Sequence, residues 1–183
     1  MRHGHSLANE KGIIISDPPT GTCLYGLSER GKSQVISAAQ SFTAPAPLII
    51  YSSDFLRTAE TARLLGKELK VDKIFYSEKL RERFFGEYEG KSVNHYNDLW
   101  ERDALAERNN SHGVENPSEV ALRTGSLIGE LEIKYSDASI ILVSHGDSLQ
   151  ILQTLFYSVP PETHRSLIHL ETAEIREMKK KQR

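Results

Sequence analysis

Short apolar runs alternate with segments of helical periodicity along this chain, and this alternation constrains the fold more than any other feature. Residues 48–51, 74–76 and 140–143 have the length and composition of buried strands. Helical patterns lie between these runs. Strands that alternate with helices predict an α/β domain with a mostly parallel sheet.

The predicted helices begin at residues that can cap them. Ser28 is a suitable N-cap for a helix that reaches Phe42, and residues 52–54 supply capping side chains for a helix to about Leu69. Pro117 and Ser118 open a helix to about residue 135. The remaining predicted elements are helices near 93–107 and over 148–157, a functional loop over 80–90, and a last strand over 173–176.

Composition excludes several classes of protein. A chain of 183 residues is long enough for one core and short for two domains, so we expect a single domain over residues 1–183. The net charge of −2 gives no basic field for nucleic acid. Cys23 is the one cysteine, which excludes a disulfide framework and a multi-cysteine zinc site. With no apolar run of 18 residues and no leader pattern, we expect a cytoplasmic protein without a membrane partner.

Several polar residues stand at positions that suit catalysis. His145 and Gly146 follow the clearest predicted strand, and open parallel sheets bind ligands at the carboxyl ends of their strands. Arg57 lies in the first turn of a helix that follows another strand. His3 lies between Arg2 and Gly4. The further candidates are Asn9, near this tripeptide, and Glu82, in the predicted loop.

Taken in order along nearly the whole chain, these segments resemble the histidine phosphatase superfamily, in the branch that includes cofactor-dependent phosphoglycerate mutases. The segment 27–31 is similar to the start of that family's first helix. The resemblance implies a three-layer sandwich with helices on both faces of the sheet. It implies that His3 is the nucleophile and forms phosphohistidine, that Glu82 donates a proton to the leaving oxygen, and that Asn9 and Gly146 contact substrate.

Elementary chemistry agrees with these roles. A phosphate monoester is a dianion, and the guanidinium groups of Arg2 and Arg57 pair with such an anion and stay charged. A helix N-terminus beside Arg57 also favours anions. A protonated His145 would stabilise charge on the transferring phosphoryl group. Because these groups supply the positive charge, we expect neither a metal nor another cofactor.

The spacing favours a phosphatase over a mutase. Glu82 and His145 are 63 positions apart, and no basic, proline-rich insert that would grip a second phosphate lies between them. We therefore expect hydrolysis of a small phosphorylated metabolite. Phosphoglycerate mutase-type transfer and a non-catalytic, phosphate-binding relative are the alternatives. The sequence does not determine an oligomeric state.

Two features run against this interpretation. Residues 26–33 fit the Walker A pattern, which would indicate a P-loop NTPase if a strand preceded them and a helix opened at Lys32. In addition, only Met1 precedes Arg2, whereas the family has a central strand there. We therefore expect a truncated first strand, and a chain less stable and less active than one extended upstream.

Overall fold

The three predicted strands form one parallel sheet. The computed structural model describes residues 1–105 and 112–179. The strands β1 (Leu48–Ser52), β2 (Ile74–Tyr76) and β3 (Ser139–Val143) lie in the order β2-β1-β3. Ile50 of β1 lies opposite Ile74 on one side and Ile141 on the other. The carboxyl ends of β1 and β3 therefore meet at the same edge.

Helices cover both faces of the sheet, so the predicted three-layer α/β fold is confirmed. Side chains of successive strand residues point to opposite faces. Ile50 and Val143 pack on Leu65 of the helix that joins β1 to β2. Tyr51 packs instead against Leu127, on the opposite face. The helices are α1 (Leu7–Lys11), α2 (Pro18–Cys23), α3 (Glu29–Gln40), α4 (Leu56–Leu69), α5 (His95–Ala104), α6 (Pro117–Lys134) and α7 (Gly146–Tyr157).

The helix predicted from Ser28 is confirmed. The Oγ of Ser28 accepts a hydrogen bond from the backbone N–H of Gly31, and α3 begins at Glu29. The segment before it forms α2, capped by Asp17, rather than a strand. The Walker A pattern therefore lacks its strand, and its helix opens before Lys32. Both α1 and α2 are too short to show helical periodicity, which is why the sequence did not predict them.

The predicted start of α4 is wrong. Its N-cap position is Phe55, without a side-chain hydrogen bond, rather than one of residues 52–54. Those residues are used elsewhere, because Ser53 continues along β3 by donating its backbone N–H to Val143. Asp54 pairs with Arg81.

The predicted last strand over 173–176 is also wrong. Ala173 has a φ of 63°, in the left-handed region, and this angle breaks an extended backbone. Two hydrogen bonds remain, from the Arg2 N–H to the carbonyl of Glu174 and from the Ala173 N–H to the carbonyl of His3, each 3.1 Å long. On its other side, the first segment is joined to the end of β3, where His3 donates to the carbonyl of Ser144 at 2.9 Å.

Several predicted boundaries shift by a few residues. The helix predicted near 93–107 is α5, and its predicted last residues, 106 and 107, lie outside the described residues. The predicted loop over 80–90 holds one short 3-10 turn, Gly86–Tyr88, and another, Glu78–Leu80, precedes it. Within the described ranges, no helix has the length and apolarity needed to cross a membrane.

Candidate active site

The carboxyl edge of the sheet brings three predicted site residues together. His145 follows β3 as the N-cap of α7, and Arg57 is the second residue of α4, just after β1. The backbone N–H of His3 binds the carbonyl of Ser144, which places His3 next to His145. The two imidazole rings meet edge to face, with their centroids 5.3 Å apart.

The contacts of His3 define which ring nitrogen is free to react. Its Nδ1 lies 2.7 Å from the carbonyl oxygen of Gly4, which can only accept, so Nδ1 carries the hydrogen. The Nε2 is then the unprotonated nitrogen, and it accepts a hydrogen bond of 3.2 Å from the Nε of Arg57. Burial, followed by the charges of Arg57 and Arg2, lowers the pKa of His3 well below its ordinary value. A neutral imidazole with a bare Nε2 is the nucleophilic form.

Two of the three guanidinium nitrogens of Arg57 have hydrogen-bond partners. Its Nε contacts His3, and its Nη2 donates to the carbonyl of Ile15 at 2.9 Å. The remaining Nη1 is buried and has no partner among the residues that the structure describes. A buried donor without a partner is costly, and an anion next to His3 would remove that cost.

His145 has a similar open position. Its Nε2 lies 3.0 Å from the Oγ of Ser53, and its ring is completely buried. Its Nδ1 is buried with no partner in the described part of the chain. Burial and the charge of Arg57 lower the pKa of His145 well below its ordinary value, so an anionic ligand is needed to favour its protonated form.

Arg2 completes the positive side of the site. Its Nη1 donates to the carbonyl of Leu170 at 2.9 Å, whereas its Nε is buried and unpaired within the described residues. A Cβ on Gly146 would lie 3.3 Å from the Cζ of Arg2. Gly146 therefore lets the guanidinium approach the start of α7.

Glu82 lies beside the same helix start. Its Oε1 accepts hydrogen bonds from the backbone N–H groups of Arg83 (3.0 Å) and Ser148 (3.2 Å). Burial and the negative charge of Asp147 raise the pKa of Glu82, although Arg57 acts in the opposite direction. A carboxyl group with a raised pKa suits proton donation.

Asn9 is used locally in the structure. Its Oδ1 accepts from the backbone N–H of Ser6 at 3.0 Å and lies 2.9 Å from the Ser6 Oγ, which completes the capping box of α1. A contact between Asn9 and substrate stays a prediction.

Comparison with known proteins decides the family. Residues 1–182 match the family described as the histidine phosphatase superfamily, branch 1. The chain belongs to this superfamily. Its relatives include glucosyl-3-phosphoglycerate phosphatases, one from Mycobacterium tuberculosis strain H37Rv (30% identical over 176 residues, covering 87% of this chain and 74% of the relative). Another, from Mycolicibacterium vanbaalenii, is 29% identical over 171 residues and covers 87% of this chain and 73% of the relative.

Solved structures agree with the sequence comparisons. The structure of a mycobacterial glucosyl-3-phosphoglycerate phosphatase in complex with VO3 has a TM-score of 0.78 and 27% identity, and the match covers 94% of this chain and 87% of that one. Membership in the superfamily and phosphatase relatives identify the chain as a hydrolase of the phosphatase type. The preference for phosphatase over mutase is confirmed.

This histidine phosphatase also contains a buried group of charges that the sequence analysis missed. We call Arg83, Asp103, Asp147 and His164 the Arg83 cluster. Arg83 is 0% exposed and donates to both oxygens of Asp103, at 2.6 and 2.8 Å, and to Asp147 at 3.2 Å. The alternation of Arg83 with Glu82 and Arg81 is typical of a solvated charge run, so no local signal predicts this cluster.

Proposed function

We propose that this protein is a metal-independent phosphomonoesterase that acts through a phosphohistidine at His3 on a small phosphorylated metabolite. The observation that carries the proposal is the set of unpartnered buried nitrogen atoms around the unprotonated Nε2 of His3. Arg57 Nη1, Arg2 Nε and His145 Nδ1 have no partner among the described residues, and all belong to residues near that atom. A tetrahedral phosphoryl group has oxygens that accept from both guanidinium groups and, once its Nδ1 carries a proton, from His145.

The first step transfers the phosphoryl group to the protein. The Nε2 of His3 attacks phosphorus, and the bond between phosphorus and the leaving oxygen breaks. Arg57 already contacts Nε2, so its guanidinium would stabilise the negative charge of the phosphoryl oxygens during transfer. Glu82 gives its proton to the leaving oxygen, which departs as an alcohol.

The second step regenerates the enzyme. Water attacks the phosphorus of the phosphohistidine, and the carboxylate of Glu82 takes a proton from that water. The phosphorus–nitrogen bond breaks, which returns His3 to its neutral form and releases inorganic phosphate. The raised pKa of Glu82 supports both roles, because a group that titrates closer to the working pH gives and takes protons readily.

The positive charge for this chemistry comes from the chain. The guanidinium groups of Arg2 and Arg57 supply it, and the phosphoryl group would favour the protonated form of His145. The substrate class follows from the relatives, which are named for a small phosphorylated sugar derivative. We expect this class of substrate rather than nucleic acid.

Phosphate release tests the proposal. We would assay p-nitrophenyl phosphate and a panel of metabolite monoesters with EDTA present, for the wild type, His3→Ala and His169→Ala. His169 is a half-exposed histidine paired with Glu171, and it serves as the matched control. We expect full activity in EDTA and in His169→Ala, and a loss of at least about 10⁴-fold in His3→Ala.

Trapping the intermediate distinguishes this mechanism from direct attack by water. A rapid quench with substrate labelled on phosphorus should leave label on the wild-type protein that survives alkali and is lost in acid, as phosphohistidine is. Activity that EDTA abolishes, or that His3→Ala keeps, would contradict the proposal.

A further inference from the structure

The Arg83 cluster lies against the proposed acid without contacting the phosphoryl site. Two backbone N–H groups hold the Oε1 of Glu82, one from Arg83 and one from Ser148. The side chains next to these two N–H groups, those of Arg83 and Asp147, bind each other at 3.2 Å. The ion pair therefore joins the two backbone segments that hold Glu82.

Neighbouring elements fix this ion pair in place. Asp103 of α5 binds Arg83 through both oxygens, and the indole N–H of Trp100 donates to the Oδ1 of Asp147 at 3.0 Å. The Nε2 of His164 lies 3.3 Å from the same oxygen. Burial alone would raise the pKa of Asp147, but His164 and Arg83 hold it well below its ordinary value, so Asp147 stays negative across the working range.

We infer that Asp147 and Arg83 are positioning residues of the acid step, which attach Glu82 to the first turn of α7 and expose it to a permanent negative charge that favours its proton-donating form. This inference rests on the proposed role of Glu82. Neither residue touches the reacting atoms.

The electrostatic surroundings of Glu82 support this assignment. The charged or titratable groups near it come from the helices that pack around it and from its own loop: Arg57 of α4, Arg83 of the loop, Tyr96 of α5, Arg123 of α6 and Asp147 of α7. A second carboxylate, that of Glu115, is paired with the Nε of Arg123 at 2.7 Å, and among the described residues it is the charge of Asp147 that raises the pKa of Glu82. Burial and the charges of Glu82 and Asp147 raise the pKa of Tyr96, so its hydroxyl stays neutral. The negative charge that acts on Glu82 therefore comes from Asp147.

The test compares two substrates that differ in their need for an acid. Glycerol phosphate has an alkoxide leaving group that needs a proton, whereas p-nitrophenolate leaves without one. We would measure kcat/KM, which reports phosphoryl transfer to His3, from pH 4 to pH 9. For glycerol phosphate, kcat/KM should fall at high pH as Glu82 loses its proton, and this decline is the alkaline limb of the pH profile. Asp147→Asn should move the alkaline limb by about one pH unit towards acid, which lowers kcat/KM about tenfold at pH values above the limb. The value for p-nitrophenyl phosphate should stay within about twofold.

Three variants control the experiment. Asp54→Asn removes a negative charge from a partly exposed ion pair with Arg81, the residue that precedes Glu82. This change should leave the alkaline limb in place. Asp103→Asn makes the Arg83 cluster more positive and keeps Asp147. It should move the alkaline limb towards acid by a smaller amount than Asp147→Asn. Glu82→Gln should remove activity on glycerol phosphate far more than on p-nitrophenyl phosphate. Titration of the substrate itself is common to all variants.

The outcomes separate the two proposals. A limb that stays in place in both Asp147→Asn and Asp103→Asn, with Glu82→Gln still defective, would overturn this inference alone. Since Asp103→Asn keeps the pair of Arg83 with Asp147, it remains informative if Asp147→Asn does not fold. Full activity of Glu82→Gln on glycerol phosphate would overturn the acid role and this inference with it.

Discussion

Arg57 and Arg83 are both almost completely buried, at 4% and 0% exposed, but their guanidinium groups are completed in different ways. All three nitrogens of Arg83 have acceptors, supplied by Asp103, Asp147 and the carbonyl of Glu115. Arg57 faces a neutral histidine and one carbonyl, and its Nη1 has no partner in the part of the chain that the structure describes.

The difference shows how burial and partner choice assign a role. A buried charge with carboxylate partners stabilises the arrangement around it, because removing either side leaves an uncompensated charge. A buried charge with an open donor costs stability until a ligand arrives. We therefore interpret Arg83 as structural support and Arg57 as the anion-binding group. Four experiments can break or sharpen this contrast.

The largest expected effect is on the stability of Arg83→Met. This change removes the buried guanidinium that both Asp103 and Asp147 bind, so we expect a loss of about 3–5 kcal/mol in the free energy of unfolding. Urea unfolding followed by circular dichroism measures it. A variant as stable as the wild type would show that the two carboxylates do not depend on Arg83.

The matched change at the other arginine, Arg57→Met, should act on catalysis instead. It removes the donor that touches the nucleophile, and we expect kcat/KM to fall about 10²–10³-fold. Replacement of a poorly compensated buried charge by an apolar side chain is often neutral or stabilising, so the free energy of unfolding should change by no more than about 1 kcal/mol. A large loss of stability with retained activity would reverse the roles of the two arginines.

Binding of inorganic phosphate provides a smaller and independent test. Phosphate at ten times its Kd should stabilise the wild type by about 1.4 kcal/mol, by mass action on the folded state. A thermal shift titration measures this. Arg57→Met should lose the response, whereas Asp54→Asn, which alters an ion pair outside the site, should keep it. An equal shift in Arg57→Met would place phosphate elsewhere.

The smallest expected effect is the acid sensitivity of the Arg83 cluster. His164 and Arg83 hold the pKa of Asp147 below its ordinary value despite burial. A depressed folded-state pKa contributes stability above the unfolded value, near pH 4, and that stability is lost as the pH falls towards the folded value. The stability advantage of the wild type over Asp147→Asn should therefore be present at pH 6 and shrink at pH 3. An advantage independent of pH would mean that Asp147 acts through packing alone.

Two of the proposed catalytic groups were accessible from the sequence because each follows a local signal. His145 follows an apolar run, and Arg57 lies where a helix starts after another such run. Parallel strands bring their carboxyl ends to one edge, so these positions meet wherever the fold forms. The family resemblance added His3 and Glu82. The cap of α4 was missed, because Ser53 uses its hydroxyl on His145 and its backbone N–H on Val143.

The sequence by itself determined the α/β class, the three strands, the order of the helices that carry periodicity and the set of candidate residues. The class, the strands, the helices and the positions of Arg57 and His145 follow from local periodicity and strand-end geometry, which depend on neighbours along the chain, whereas His3 and Glu82 follow from the family resemblance. The tertiary structure decided the tautomer of His3, the open donor of Arg57 and the burial of Arg83. Asp103 and Asp147 lie 20 and 64 positions from Arg83, and the structure alone decides whether such distant carboxylates meet a buried cation or remain in water.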